Sequence, residues 1–230
     1  MPRAPPLGLK VREAPGLRSR KARHSVLVAV KKAGSDRPKE NEPHLRVFIC
    51  IDIPESIKTR LASLQSCLKS TGGEVSWVKP ANIHLTLKFL GNVAQSRIAA
   101  VCDAVRQAAE VSGPFELEVG GAGGFPSSRA PRVLWVGLTD LPPDLVRLYN
   151  AVEDRMFKLG FEREGRKFSP HLTIGRLRSQ QNARQLGERI TASGFEPEQF
   201  SATEVIVMRS NLKPTGAVYT PLEIIPLRHA

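Results

Sequence analysis

The sequence predicts an α+β fold, and three observations carry that reading. The runs His84-Leu85-Thr86-Leu87-Lys88-Phe89 and His171-Leu172-Thr173-Ile174-Gly175-Arg176 repeat a His-x-Thr set inside an extended pattern. Stretches with a period of two alternate with stretches whose apolar residues recur every three or four positions. The order strand, helix, motif strand, helix occurs once before Gly120-Gly121-Ala122-Gly123-Gly124 and approximately again after it, which points to two similar halves with helices layered on sheet.

Residues 1–43 read as a tail and residues 44–230 as a single two-lobed domain. Pro2, Pro5, Pro6, Pro15 and Pro38, with Arg18, Arg20, Lys21 and Arg23, leave little apolar periodicity to bury. A disordered basic arm is the reading; an Arg-rich transit peptide is the alternative. From Leu45 to Ile53 apolar residues alternate with Arg46, Phe48, Cys50 and Asp52 as in a strand, and Pro54 opens a helix with Ile57, Leu61, Leu64 and Leu68 on one face. Gly72-Gly73 ends it. After the first motif strand a second helix carries Ile98, Val101, Val105 and Ala108, and Phe115 to Val119 forms a short strand. The glycine cluster lacks the Lys-Ser/Thr of a phosphate-binding loop and reads as a flexible connection. Val133 to Leu138 is apolar on both faces, as in a central strand. Pro142-Pro143-Asp144 starts a helix with Leu145, Leu148, Val152 and Met156, closed by Leu159-Gly160. The second motif strand, a helix over Gln185–Ser193, and strands over Thr203–Met208 and Val218–Ile225 complete the chain.

The 230 residues, 41% of them hydrophobic, suffice for one sizeable core. No run of about 18 apolar residues and no secretory leader is present, so no membrane partner is expected and the chain reads as cytoplasmic; a monomer is expected as well. Cys50, Cys67 and Cys102 are odd in number, lack C-x-x-C spacing, and read as buried or inert thiols in a reducing compartment. The net charge is +12, of which +7 lies in residues 1–43. That balance favours polyanionic partners without naming one.

In an extended strand alternate side chains share a face, so His84 and Thr86 stand on one side and Ile83, Leu85, Leu87 and Phe89 on the other. One such pair is weak, because a lone histidine in an apolar strand is usually a structural residue with satisfied ring nitrogens. Two of five histidines followed at the same spacing by one of nine threonines is a coincidence expected roughly once or twice in a hundred such compositions. The matched pair reads as a two-histidine catalytic cleft.

The flanking text strengthens that reading. The HxTx pair resembles the 2H phosphoesterases, and the chain from Leu45 to Leu227 is most similar to the RNA 2′,3′-cyclic phosphodiesterases, once described as 2′-5′ RNA ligases. The resemblance runs through Arg46–Pro54, His84–Gly91, Phe125-Pro126, Pro131–Gly137, Phe168–Thr173 with Arg176, and Arg209-Ser210 to Gly216–Thr220. It implies a bilobal fold, two pseudo-twofold-related antiparallel sheets flanked by helices around a central cleft. It also implies His84 as proton donor to the leaving 3′ oxygen, His171 as proton acceptor from water, and an RNA terminus with a 2′,3′-cyclic phosphate as substrate.

The residues permit that chemistry. Two imidazoles titrating near neutral pH can serve as acid and base on opposite sides of a phosphorus atom. Thr86 and Thr173 can donate to non-bridging phosphoryl oxygens, and Lys88 and Arg176 are candidate phosphate-binding cations. Lys88 shares the parity of His84. Arg176 has the wrong parity and reaches the cleft only through a bulge near Gly175. Phe48, opposite in parity to Val47 and Ile49, is the base-stacking candidate. No cofactor and no metal is expected, since neither motif offers a second His or Cys at zinc-ligand spacing. Two alternatives stay open: 2′-5′ RNA ligation, and a non-catalytic RNA-binding module.

Overall fold

Alternation at the start of the domain becomes β1 (His44–Asp52), whose Val47, Ile49 and Ile51 enter the main core. The computed structural model describes residues 42–214 and 216–228; the expected tail over 1–43 lies outside the described residues except for its last two positions. Pro54 is followed by α1 (Glu55–Lys69), and Gly72 and Gly73 turn the chain at φ +77° and +100°, conformations that glycine adopts without strain. β2 (Val75–Trp77) leads to β3 (His84–Ala94), α2 (Ile98–Ala109) and β4 (Phe115–Phe125). β5 (Val133–Leu138), α3 (Pro143–Lys158), β6 (His171–Leu177) and α4 (Ala183–Thr191) follow. β7 (Glu198–Ala202), β8 (Glu204–Lys213) and β9 (Gly216–Pro226) close the chain. No helix among the described residues is long and apolar enough to cross a membrane.

All strand pairs are antiparallel, in the order β7-β4-β5-β6-β3-β1-β8-β9, with β2 on the edge that β6 shares with β3. The two expected sheets are the two halves of this curled sheet, and β3 and β6 join them through the single pair Leu85 and Leu172. Each half is covered by a helix from the other. α1, which follows β1 of the first half, packs against α4 and sends Gln65 to Ile174 of β6. α3, between β5 and β6 of the second half, packs against α2 and β3. The apolar stripes predicted for the helices are the faces buried: Ile57, Leu61 and Leu68 on α1, and Leu145, Leu148, Val152 and Met156 on α3.

The glycine cluster is part of β4 rather than a flexible connection. β4 pairs with β5 through Gly123–Trp135 and Gly124–Leu134, with a bulge at Gly121, where φ is +67°. A methyl on Gly123 would come to 2.7 Å from the Trp135 ring, and one on Gly124 to 2.6 Å from Pro131. Close approach of these side chains, not mobility, is why the strand carries glycine.

Candidate active site

Leu85 and Leu172 face each other across the junction and are 1% and 0% exposed, so the motif strands turn these positions into the core. Alternation then puts His84, Thr86, His171 and Thr173 on the opposite side. Extending the antiparallel register by one residue aligns His84 with Thr173 and Thr86 with His171. The two histidines become diagonal neighbours across the strands, about 7–8 Å apart in regular sheet geometry. Residues distant in sequence thus converge at the axis relating the halves, and Thr86, His171 and Arg176 line a cleft of about 1000 Å³.

Both rings are held in the same way. Nδ1 of His84 lies 2.8 Å from the carbonyl oxygen of Asn82, and Nδ1 of His171 lies 2.8 Å from that of Ser169. A carbonyl only accepts, so each Nδ1 carries a proton and Nε2 is left as the exchangeable atom. Asn82 is itself pinned by its side-chain donation to Ala217 O of β9, at 2.8 Å. The His84 ring stacks on Phe48 at 4.6 Å and meets the edge of Tyr219 at 5.4 Å, and the His171 ring meets Phe125 at 5.0 Å.

Burial depresses the basicity of both imidazoles, and the carbonyl contacts offset part of it. Neighbouring charge separates the two rings. Asp52, across from His84 on β1, raises the affinity of that ring for a proton, with Lys58 opposing; beside His171 the nearby charge is Arg176, which lowers it.

A bulge in each motif strand, three residues after each histidine, decides which other residues reach the cleft. In β6 the register passes from Thr173–Trp135 to Gly175–Leu134, leaving Ile174 unpaired with β5. Its carbonyl accepts from Val78 N–H at 3.0 Å and from Gln65 Nε2 at 2.8 Å, so the bulge carries no orphaned acceptor. Beyond it parity reverses and Arg176 turns to the cleft face, as the bulge condition required. In β3 the register passes from Thr86–Cys50 to Lys88–Ile49, leaving Leu87 out. Parity reverses here too, and this corrects two expectations.

Lys88 lines the cleft but is not a free phosphate-binding cation there. It turns to the side of Ile49, where its ammonium lies 2.7 Å from Glu153 and 2.8 Å from Glu162 O, the two charged side chains being 5% and 6% exposed. Phe48 is not a base platform: it is 2% exposed, buried under His84 in a small cluster with Cys50 and Ile206. Phe89, assigned by simple alternation to the apolar face, is 62% exposed and lines the cleft. Sequence reasoning missed Gln65, Asp52, Tyr219 and Phe89. Gln65 had a signal, a polar residue four positions after Leu61 on an apolar helix stripe. Among the described residues no group of three or more His, Cys, Asp or Glu is placed to hold a metal ion. Cys67, unlike Cys50 and Cys102, is exposed.

The family model for LigT-like phosphoesterases matches twice, over residues 51–135 and 136–219, one match for each motif. An RNA 2′,3′-cyclic phosphodiesterase of Methanothermobacter thermautotrophicus is 34% identical over 80% of this chain and 99% of the relative. Another, from Methanocaldococcus jannaschii, is 32% identical over 76% of this chain and 96% of its own length. Among solved structures, a protein of Thermus thermophilus superposes with a TM-score of 0.67 at 25% identity, covering 80% of this chain and 99% of that one. Escherichia coli LigT complexed with 3′-AMP superposes with a TM-score of 0.63 at 26% identity, covering 80% and 98%.

Proposed function

The chain belongs to the LigT-like phosphoesterase family, and from that premise we propose that it hydrolyses RNA 2′,3′-cyclic phosphate ends to 2′-phosphomonoesters by metal-independent general acid–base catalysis. It is an enzyme of the hydrolase class, as its relatives are. The observation that carries the mechanism is the matched pair of imidazoles, each with Nδ1 tied to a carbonyl two residues upstream and Nε2 left for proton transfer.

Water attacks phosphorus in line with the 3′ oxygen. His171 Nε2 accepts the water proton, the P–O3′ bond breaks, and His84 Nε2–H protonates the departing oxygen, leaving the phosphate on the 2′ position. Exchange with solvent returns both rings to their starting protonation. Burial lowers the basicity of both rings, and the charges beside them act in the sense of this division: Asp52, opposed by Lys58, offsets part of the effect on His84, and Arg176 adds to it on His171. Thr86 and Thr173 donate to the non-bridging oxygens, where charge concentrates in the transition state, and Arg176 adds a cation. One chain supplies both halves of the site, so a monomer suffices.

The test is incubation with an oligonucleotide ending in a 2′,3′-cyclic phosphate in excess chelator, followed by identification of the product. A 2′-phosphomonoester is expected, with kcat falling about 10²–10⁴-fold on His84→Ala or His171→Ala. A 3′-phosphate, loss of activity restored by zinc, or full activity in both variants would refute the proposal. Offering 2′,3′-cyclic and 5′-hydroxyl RNA halves together separates hydrolysis from 2′-5′ joining.

A further inference from the structure

Resting on that reading, we propose that Gln65 is a positioning residue whose buried carboxamide joins the two half-sites and holds the β6 bulge that presents Arg176 to the phosphate. Gln65 is 3% exposed on α1, and its Nε2 donates to Val78 O at 2.7 Å and to Ile174 O at 2.8 Å. Both acceptors are carbonyls, so the NH2 end of the amide must face them, and it has two N–H groups to give. Val78 begins the connection from β2 to His84, and Ile174 is the bulged residue after His171 and Thr173. One side chain from a helix thus fixes the backbone approaching one histidine against the backbone leaving the other.

The contacts around the bulge explain why a side chain is needed there. On one side β5 skips Ile174, passing from Thr173–Trp135 to Gly175–Leu134. On the other, β2 keeps its register through Ser76–Arg176 and Trp77–Gly175, and Val78 N–H carries it on to Ile174 O at 3.0 Å. A methyl on Gly175 would meet Val75 at 2.8 Å and the Trp77 ring at 3.1 Å, so β2 lies directly on the bulge. Without the Gln65 amide, Val78 O loses this donor and Ile174 O keeps one of its two, and a buried carbonyl left short of partners favours a rearranged strand. Arg176 owes its place on the cleft face to the bulge. The position of the cation is therefore set from α1, none of whose residues line the cleft.

Kinetics on adenosine 2′,3′-cyclic phosphate, kcat/KM–pH profiles and thermal unfolding of Gln65→Met, Gln65→Asn, Arg176→Ala and the Gln65→Met with Arg176→Ala double variant test the proposal. Methionine keeps the volume and removes the donors; asparagine keeps the amide but falls one methylene short of the two carbonyls. Either change is expected to lower kcat/KM about 10- to 100-fold. In the Arg176→Ala background the further loss from Gln65→Met shrinks to within about twofold, while its lowering of Tm is the same in both backgrounds. Burial and Arg176 both lower the basicity of His171, so displacing Arg176 in Gln65→Met moves the acid limb of the profile to higher pH. Wild-type kcat/KM in folded Gln65→Met or Gln65→Asn, losses that multiply with that of Arg176→Ala, or an acid limb that stays in place would overturn the role. Wild-type protein inert toward the cyclic phosphate would instead remove the phosphodiesterase reading and this role with it.

Discussion

Nδ1 of each motif histidine is tied to a carbonyl, which leaves Nε2 as the exchangeable atom in both halves, and the charge beside each ring distinguishes two otherwise equivalent histidines. Burial pushes His84 toward its neutral form and Asp52 offsets part of that push, while its carboxylate also accepts Ile53 N–H at 2.9 Å and pairs with Lys58 at 2.9 Å. The sign of a substitution follows. Removing the negative charge in Asp52→Asn lowers the His84 pKa, so the alkaline limb of the kcat/KM–pH profile, where the acid loses its proton, moves to lower pH. The acid limb belongs to His171, for which Asp52 is not among the perturbing charges, and it stays in place. A pH–rate profile of the variant measures both limbs; an alkaline limb that stays or moves upward would contradict the role given to His84.

At the scale of the element, the bulges decide which side chains line the site and mark where the sequence stopped being legible. Strict alternation assigned His84, Thr86 and Leu85 correctly because they precede the bulge. It failed for Lys88 and Phe89 because they follow it. Arg176 was legible only as a condition, since its parity demanded a bulge that local residue types do not announce: Ile174 and Leu87 look like ordinary strand residues. The bulge in β6 is supported instead by a distant partner, Gln65 on α1. The glycine cluster was misread for a similar reason, its cause being the Trp135 ring on the neighbouring strand.

The reoriented Lys88 gains a structural task. Its partner Glu153 also accepts Glu164 N–H at 3.2 Å, and Lys88 donates to Glu162 O, so the pair fastens the 162–164 segment that lines the cleft. Lys88→Met strands a buried carboxylate and is expected to cost about 3–5 kcal/mol in denaturant unfolding, while Lys88→Met with Glu153→Leu recovers most of that loss. Both variants lose the tether and are expected to show a raised KM. Equal stability of Lys88→Met and wild type would contradict the buried pair.

For the whole molecule, the exchange of helices between halves explains how two weakly joined sheet halves hold one site. Leu85 and Leu172 are the one pair between β3 and β6, β2 adds three pairs along β6, and α1 and α3 each cross to cover the opposite half and tie the halves together. The duplication of strand and helix was visible in the sequence, and so was the burial of each apolar stripe. Which half a helix covers was not, because an amphipathic face specifies that it is buried but not against what. Charge also acts at this scale. Residues 44–230 carry 23 Lys and Arg against 18 Asp and Glu, and Arg132, Arg163, Arg166 and Lys167 lie along the cleft with Arg176. Turnover of a cyclic-phosphate oligonucleotide is therefore expected to weaken with salt more steeply than turnover of a cyclic mononucleotide, which spans fewer of these cations. Equal salt slopes for the two would show that the rim does not engage RNA.

The central claim is that His84 protonates one bridging oxygen while His171 activates the water opposite. Replacing the 3′ bridging oxygen of the cyclic phosphate by sulfur tests it most directly, because a thiolate is a far weaker base than an alkoxide and departs without a proton. His84→Ala is expected to recover to within about tenfold of wild type on the sulfur substrate, and His171→Ala to remain down by about 10²-fold or more. Recovery of His171→Ala instead, or of neither variant, would contradict the account.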